Sequence, residues 1–303
     1  MSAAVAHEGQ LEWERRAGRV AGVAAFAAIA ILLLAGLYLR FALSEPPRNA
    51  LELLVAAERE PADFIVASVL QAIGTALLAV VLAYLYRATR YRRPQTPSAA
   101  LTLAVLGPVL LAVTVVVGAV TRVGAGRELA AGPPTRERAA ALLGDASPGW
   151  LEGVSLAGSI ALGLALVFIG LNAMRAGLLS RFMGVLAVVA ALISVLPFLG
   201  GPPTLLFFWI GAVGLLVLGR WPGGRGPAWE SGEALPWPSP AQQREELERR
   251  RAEGEGGEGP AAFTEPESRG SGQNGAEPGS RDVPSGGSES TPGAGRRKRK
   301  RRG

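Results

Sequence analysis

Few side chains of this sequence combine the chemical type and the position that transport or catalysis in an apolar environment would need. Away from the ends of its long uncharged stretches, the non-aromatic polar residues are Ser68, Gln71, Thr75, Thr102, Thr114, Ser155, Ser159, Asn172 and Ser194, none of which is ionisable. Ionisable groups at mid-membrane are the usual marks of proton relays and ion pathways. A transporter of small molecules or lipids would need a polar path around Gln71, Thr75 and Asn172. Hydrogen bonding between helices explains Gln71 and Thr75 equally well and is the interpretation we prefer.

Carboxylates near the ends of the uncharged stretches are the candidates for catalysis. An interfacial enzyme would require Asp63, Asp145 or Glu152 to converge with other polar groups. Compensation of a helix dipole is the simpler role for Asp63 and Glu152. The sequence has no Cys, and His7 is its one histidine, which excludes Cys/His zinc sites and His-ligated haem as internal features. We therefore predict no enzymatic activity, no cofactor and no metal site.

Basic residues are the remaining candidates, with anionic lipid headgroups as their ligand. The candidate contacts are Arg40, Arg127, Arg296, Arg297, Lys298, Arg299, Lys300, Arg301 and Arg302. Arg40 and Arg127 each follow an apolar stretch, where a guanidinium usually reaches the phosphate headgroups. The terminal run would gain about 1 kcal/mol per basic residue at an anionic surface. Neutralisation of the tail's own acids ranks second. Nucleic acid ranks last because no aromatic residue lies among these basics to stack on bases.

Six uncharged spans would position these residues. They cover residues 20–39, 64–86, 99–121, 153–174, 182–199 and 203–219. At 1.5 Å per residue, about 20 residues cross a hydrocarbon core of about 30 Å. The first span has a signal peptide as its alternative, but an h-region normally runs only about 7 to 15 residues. We predict an all-α fold, a six-helix transmembrane bundle built of three helical hairpins in the lipid bilayer.

The distribution of arginine predicts the orientation of this bundle. With the N-terminus inside, the inner segments carry eleven Arg and the outer loops seven. We therefore expect a plasma-membrane protein with both termini in the cytoplasm. Residues 1–19 form a cytoplasmic N-terminal segment, residues 20–220 the transmembrane domain, and residues 221–303 a mostly disordered cytoplasmic tail with a polybasic end. A capping box at Ser239 predicts a short helix near 240–253.

An internal similarity at an offset of 87 residues suggests that the first two hairpins are a tandem repeat. Arg40 falls on Arg127, and two Pro-Pro pairs coincide in the outer loops, each followed by a short helix candidate, residues 48–60 and 135–143. Ser68, Ala72 and Ala76 correspond to Ser155, Ser159 and Gly163. These stripes of small residues predict that the second and fourth spans pack together. Chance similarity between Ala-rich helices is the alternative.

Three local motifs resemble uncharacterised actinobacterial multi-pass membrane proteins of the domain-of-unknown-function kind. They are Arg15-Arg16-Ala17-Gly18-Arg19-Val20-Ala21-Gly22, Leu85-Tyr86-Arg87, and Gly219-Arg220-Trp221-Pro222-Gly223-Gly224-Arg225-Gly226-Pro227-Ala228-Trp229. The resemblance covers roughly residues 12–238 and implies no activity. The sequence thus favours a non-enzymatic membrane protein whose tail contacts the membrane surface or a partner.

Overall fold

The structure is a computed structural model that describes residues 3–43, 46–195, 204–222 and 224–237, with five further residues between 242 and 249. In these ranges the protein is helical and contains no strand. The helices are α1 Ala3–Ala42, α2 Ala50–Arg59, α3 Pro61–Arg92, α4 Ala99–Ala130, α5 Arg136–Asp145, α6 Gly149–Arg175, α7 Arg181–Val195, α8 Thr204–Val217 and α9 Pro227–Ser231. The chain divides into two compact units, residues 1–246 and 247–303. The ring of helices and the candidate site belong to the first unit.

Four of the described helices are long and apolar enough to cross a membrane: α1, α3, α4 and α6. The shortest of them, α6, has 27 residues, which corresponds to about 40 Å of helix. All six predicted spans fall on a helix. The fifth and sixth fall on α7 and α8, which have 15 and 14 described residues and are shorter than predicted. The all-α class and the apolar membrane helices are therefore confirmed, while six complete crossings stay a prediction.

The six apolar helices pack in chain order around a ring. Contacts join α1 to α3, α3 to α4, α4 to α6, α6 to α7 and α7 to α8, and α8 returns to α1. The core is made of Ala, Leu and a few aromatic side chains, with Trp209 fully buried and its indole N–H donating to the Met183 carbonyl at 2.9 Å. The N-terminal part of α1, the last turn of α3 and the chain after α8 meet at one end of this ring, which we call the Arg92 end. The short helices α2 and α5 cover the other end, the cap end.

Glycine decides which helices approach most closely. A Cβ atom on Gly107 of α4 would lie 2.5 Å from the Leu162 backbone nitrogen of α6, so the two backbones touch. Gly163 of α6 instead faces α7, where a Cβ atom would lie 3.3 Å from the Ala191 carbonyl oxygen. The second and fourth spans, α3 and α6, do contact each other as predicted, but the prediction that they do so through Gly163 is wrong. The ring order explains it, because α4 and α7 flank α6.

The cap end confirms the two short helices predicted in the loops. Asn49 and Thr135 cap them, their side chains accepting hydrogen bonds from the amides of Glu52 and Arg138 at 3.0 and 3.3 Å. Leu54 of α2 is completely buried. Shifted by 87 residues, the bounds of α2 fall on 137 and 146, one residue from those of α5. The order long helix, short helix, long helix therefore occurs twice.

The chain after α8 differs from the predicted boundary at residue 220. Residues 224–237, which we call the docked segment, pack against the Arg92 end, and Trp229 is only 6 % exposed. The buried indole and its hydrogen bond, described below, hold this segment against the bundle. Its Gly- and Pro-rich composition does not predict such contacts. In the predicted helix near 240–253, the five described residues are helical and exposed. The rest of the predicted tail, including Arg296 to Arg302, lies outside the described residues.

Candidate functional site

The candidate site is built around a buried guanidinium at the end of α3. Arg92 is 8 % exposed, and its side chain meets the Glu14 carboxylate of α1 in a bidentate pair, with nitrogen to oxygen distances of 2.5 and 2.9 Å. Its Nε and Nη2 also donate to the Ala228 carbonyl oxygen at 3.0 and 2.8 Å, and its Nη1 donates to the Ala88 carbonyl at 3.1 Å. All five N–H groups of the guanidinium are thereby used. One side chain therefore joins α1, α3 and the docked segment.

Glu14 occupies this position because α1 continues beyond its apolar span. The residue lies six positions before Val20, about 9 Å along the helix, and its side chain is turned into the ring. Besides Arg92, its carboxylate accepts a hydrogen bond from the Gln10 amide at 2.9 Å. The backbone carbonyl of Glu14 accepts a further bond from the Tyr84 hydroxyl at 3.2 Å. A buried carboxylate needs such partners, because an unpaired charge in a low-dielectric environment is very costly.

Aromatic rings cover the ion pair. Trp13, Tyr84 and Trp229 form a stacked series, with centroid distances of 5.6 Å for the first pair and 6.3 Å for the second. The guanidinium groups of Arg92 and Arg225 lie 5.7 and 5.8 Å from the centre of the Trp229 ring. Both distances fall within the range of cation–π attraction. Trp229 thus contributes apolar area and an electrostatic contact, and its burial keeps water from the pair.

The docked segment is also held by the ends of α6 and α8. The Trp229 indole N–H donates to the Leu178 carbonyl at 2.9 Å. Arg225 donates to the carbonyls of Leu216 and Val217 in the last turn of α8, where a helix leaves carbonyls without intrahelical partners; the Leu216 carbonyl also accepts from the Gly219 amide at 3.0 Å. Gly177 follows α6 at φ 76°, a left-handed conformation that closes a Schellman motif. A Cβ atom at Gly177 would collide with the Leu235 carbonyl of the docked segment, so glycine is required for two reasons.

This arrangement is suited to holding a chain segment in place. We name Trp13, Glu14, Tyr84, Arg92, Arg225 and Trp229 the Arg92 cluster. Its carboxylate pairs with the buried guanidinium of Arg92. The other N–H groups of that guanidinium donate to backbone carbonyls. The cluster therefore fixes where the chain leaves the bundle, and the hydrogen bonds that join Ala228, Trp229 and Arg225 to the bundle would have to be replaced by water if the segment moved away.

Arg40 and Arg127, the two described residues among the predicted lipid contacts, are not part of this cluster. Arg40 lies in the last turn of α1 and Arg127 in the last turn of α4, both exposed and both next to the cap end. Their equivalent placement agrees with the predicted headgroup contact without testing it. The seven basic residues from Arg296 to Arg302 lie outside the described residues. Lipid contact at all these positions stays a prediction.

The polar residues considered for transport do not point to a shared path. Gln71 is exposed on the surface of α3, whereas the Asn172 amide donates to the Phe168 carbonyl of its own helix at 2.8 Å. Ser159 and Ser194 likewise donate to carbonyls one turn earlier in their own helices. These hydrogen bonds lie within single helices and give no support to a polar path, while bonds between helices at Gln71 and Thr75 stay a prediction.

The acidic candidates are separated in the same way. Asp63 at the start of α3 accepts a hydrogen bond from the Tyr38 hydroxyl of α1 at 2.5 Å, a contact that the sequence did not suggest. Asp145 and Glu152 are exposed. Within the described ranges, no group of three His, Asp or Glu residues is placed to hold a metal ion. Within the described residues, these contacts do not form the convergent set of polar groups that an interfacial enzyme would require.

Comparison of the chain with family models, with curated proteins and with solved structures finds no match. The resemblance to actinobacterial membrane proteins therefore stays a prediction. The Arg92 end is the part of the described structure that bears most directly on function.

Proposed function

We propose that the protein is a non-enzymatic, six-span protein of the bacterial plasma membrane that anchors a cytoplasmic tail and directs its polybasic end to the membrane surface. In this proposal both termini are cytoplasmic and the first two hairpins are a tandem repeat. The apolar helices support the membrane location. The matching bounds of α2 and α5 support the repeat, and the Arg bias supports the orientation.

The observation that carries the proposal is the attachment of the docked segment to the bundle. Arg92, Trp229 and Arg225 connect it to four helices, α1, α3, α6 and α8, through charged, aromatic and backbone contacts. A flexible linker would need none of these contacts. Because the exit point is fixed, the tail begins at a defined place beside the end of the bundle. The N-terminal part of α1 lies at the same end, as two cytoplasmic termini require.

Tethering gives the tail its access to the membrane. About 65 residues follow the docked segment, and a flexible chain of that length has a root-mean-square reach of roughly 45 Å. The seven basic residues at its end therefore remain near the leaflet at a high effective concentration. Anionic lipid is the partner that this charge favours, and we expect no role for nucleic acid.

The test uses the full-length protein in lipid nanodiscs. Because the chain has no native Cys, a cysteine at Ser285 can carry the only fluorophore, and a quencher is placed in the lipid headgroups. We expect quenching with phosphatidylglycerol and little with phosphatidylcholine alone. Neutralising Arg296 to Arg302 should abolish it, as should 1 M salt, at which the Debye length is about 3 Å.

Two other outcomes would contradict parts of the proposal. Equal quenching in both lipids would remove the electrostatic attachment. Weak quenching that strengthens after deletion of residues 239–280, which removes most acids of the tail and keeps the labelled position 285, would favour neutralisation within the tail. That deletion is chosen to begin after the docked segment, so that Arg92 and Glu14 keep their partners.

A further inference from the structure

A second basic site lies on the outside of the Arg92 end, between α1 and α3. Two adjoining cavities share Trp13 and Arg87 as lining residues and have volumes of about 350 and 390 Å³. The first is lined mainly by apolar residues, including Val20 and Val80. The second is bordered by Arg87, Arg90 and Tyr91. Together they form one groove, the α1–α3 groove, which changes from apolar to basic along its length.

The position of this change coincides with the end of the apolar part of α3. Residues 64–86 carry no charge, and Arg87 is the first charged residue after them. Val80 and Arg87 are separated by about 10 Å along the helix axis. Val20 and Val80 are 63 % and 40 % exposed, so the apolar part of the groove is open on the side of the bundle. Its aromatic residues lie where Trp and Tyr usually mark a membrane interface.

The charges of the groove are uncompensated by acids. None of the residues lining either cavity is a carboxylate. The two acids next to Trp13 on α1 have other partners, because Glu14 is buried against Arg92 and Glu12 pairs with Arg16 at 3.7 Å. Arg90 is steadied by the Tyr86 ring, 5.9 Å from its guanidinium, and by the Tyr86 hydroxyl. Two guanidinium groups beside each other, without a carboxylate, form a site for a phosphate group.

We propose that the α1–α3 groove binds one anionic phospholipid, with its phosphate at Arg87 and Arg90 and an acyl chain along Val20 and Val80. A soluble phosphate would use the basic part alone, whereas the open apolar part continues from it and matches an acyl chain. The site rests on the proposed insertion of the protein in a membrane. It depends neither on the orientation of the protein nor on the polybasic tail.

Trp13 provides the readout, because it lines both cavities. The full chain, with Arg296 to Arg302 neutralised so that the tail does not compete, is titrated in mild detergent with phosphatidylglycerol or phosphatidylcholine carrying brominated acyl chains. Bromine quenches a nearby indole, and the difference from the Trp13→Phe variant isolates this residue. We expect saturable quenching by phosphatidylglycerol at concentrations at which phosphatidylcholine has little effect.

The double variant Arg87→Gln/Arg90→Gln should weaken the apparent affinity for phosphatidylglycerol by about 10- to 30-fold. Arg59→Gln/Arg136→Gln removes the same charge from exposed cap-end residues that are not predicted to contact lipid, and it is the matched control, for which we expect less than a twofold change. Val80→Phe fills the apolar part without adding an indole and should reduce quenching of Trp13 without altering charge. Elution of each variant as the same monodisperse species in size-exclusion chromatography verifies folding.

Three results would overturn the proposal. Equal loss in the two arginine double variants would mean that net charge, not the groove, attracts the lipid. Equal quenching by phosphatidylcholine would remove the headgroup preference. Displacement of the lipid by millimolar glycerol phosphate or inorganic phosphate would assign the basic part to a soluble anion. None of these outcomes bears on tail attachment, which is measured at Ser285 in a chain with its basic end intact.

Discussion

Replacing Arg92 by Met should release the docked segment. The variant leaves the Glu14 carboxylate buried without its cation, and breaking a buried pair in this way typically costs about 3 to 5 kcal/mol. It also removes both hydrogen bonds to the Ala228 carbonyl. The protein can relieve this cost by undocking the segment, because undocking admits water to Glu14 while the ring of helices remains. At about 1.4 kcal/mol per factor of ten, the ratio of docked to undocked molecules should fall by about two to three and a half orders of magnitude.

A second substitution should partly restore docking. In Glu14→Leu/Arg92→Met no buried charge remains, and the expected loss is that of the unpaired Ala228 carbonyl, about 1 to 3 kcal/mol. The more heavily altered protein should therefore hold the segment more tightly than Arg92→Met does. Arg90→Met is the matched control. Arg90 is exposed and bonds only locally, to Tyr86, so we expect a change within about 0.5 kcal/mol.

Hydrogen exchange measures this equilibrium directly in the full-length protein in nanodiscs. The amides of Trp229 and Gly232 are hydrogen-bonded within the docked segment, to the carbonyls of Gly226 and Ala228. Protection of peptides from residues 224–237 should fall at least 100-fold in Arg92→Met, while α3 and α6 stay protected. Equal protection in Arg92→Met and Arg90→Met would refute the reasoning. So would a double variant that is less protected than Arg92→Met, because the unpaired charge would then not be the cause.

Three further predictions concern topology and packing. A cysteine at Ala141 should react with an impermeant reagent added outside the cell, whereas one at Gln95 should not; the opposite pattern would reverse the orientation. Gly107→Ala should destabilise the bundle by about 1 to 3 kcal/mol in thermal unfolding because it forces two helix backbones apart, whereas Gly36→Ala, with no neighbour within 4 Å, should not. Gly177→Ala should expose residues 224–237 to hydrogen exchange, since both its positive φ and its contact with the segment exclude a Cβ atom; unchanged protection would contradict this.

The helices could be predicted from the sequence because each is specified by nearby residues. Uncharged stretches of about 20 residues give the long helices. The short helix predicted at 48–60 is found at Ala50–Arg59, where Asn49 supplies a cap that acts over three residues. Packing partners were harder to predict. Small residues allow close approach but do not determine which helix packs there, so the sequence assigned Gly163 to α3 although it faces α7.

The Arg92 cluster was missed because its charges resemble solvent-facing ones when counted by type. Arg92 is one of the eleven inner arginines counted for the orientation, and Glu14 lies in the predicted N-terminal segment, 78 positions away. The helix face on which each charged residue lies, counted from the buried residues of the same helix, distinguishes Arg92 and Glu14 from solvent-facing charges. Leu85, Ala88, Thr89 and Arg92 form one buried face of α3, and Arg92 continues this face one turn beyond the apolar span. On α1, Glu14 similarly precedes the buried residues Gly18, Ala21, Ala25 and Ala28 at intervals of three or four.

A charge that stays in phase with a buried helix face, beyond the end of an apolar span, has to find a partner outside that span. Arg92 has more donors than Glu14 alone can accept, and the structure supplies the remaining acceptors from backbone carbonyls, two of its bonds going to Ala228 in the docked segment. The guanidinium therefore requires a chain segment at this end of the bundle. Arg87 and Arg90 lie out of phase with the buried face and are exposed on α3. Helical phase thus divides one basic cluster into a residue that holds the chain and two that are available to a ligand.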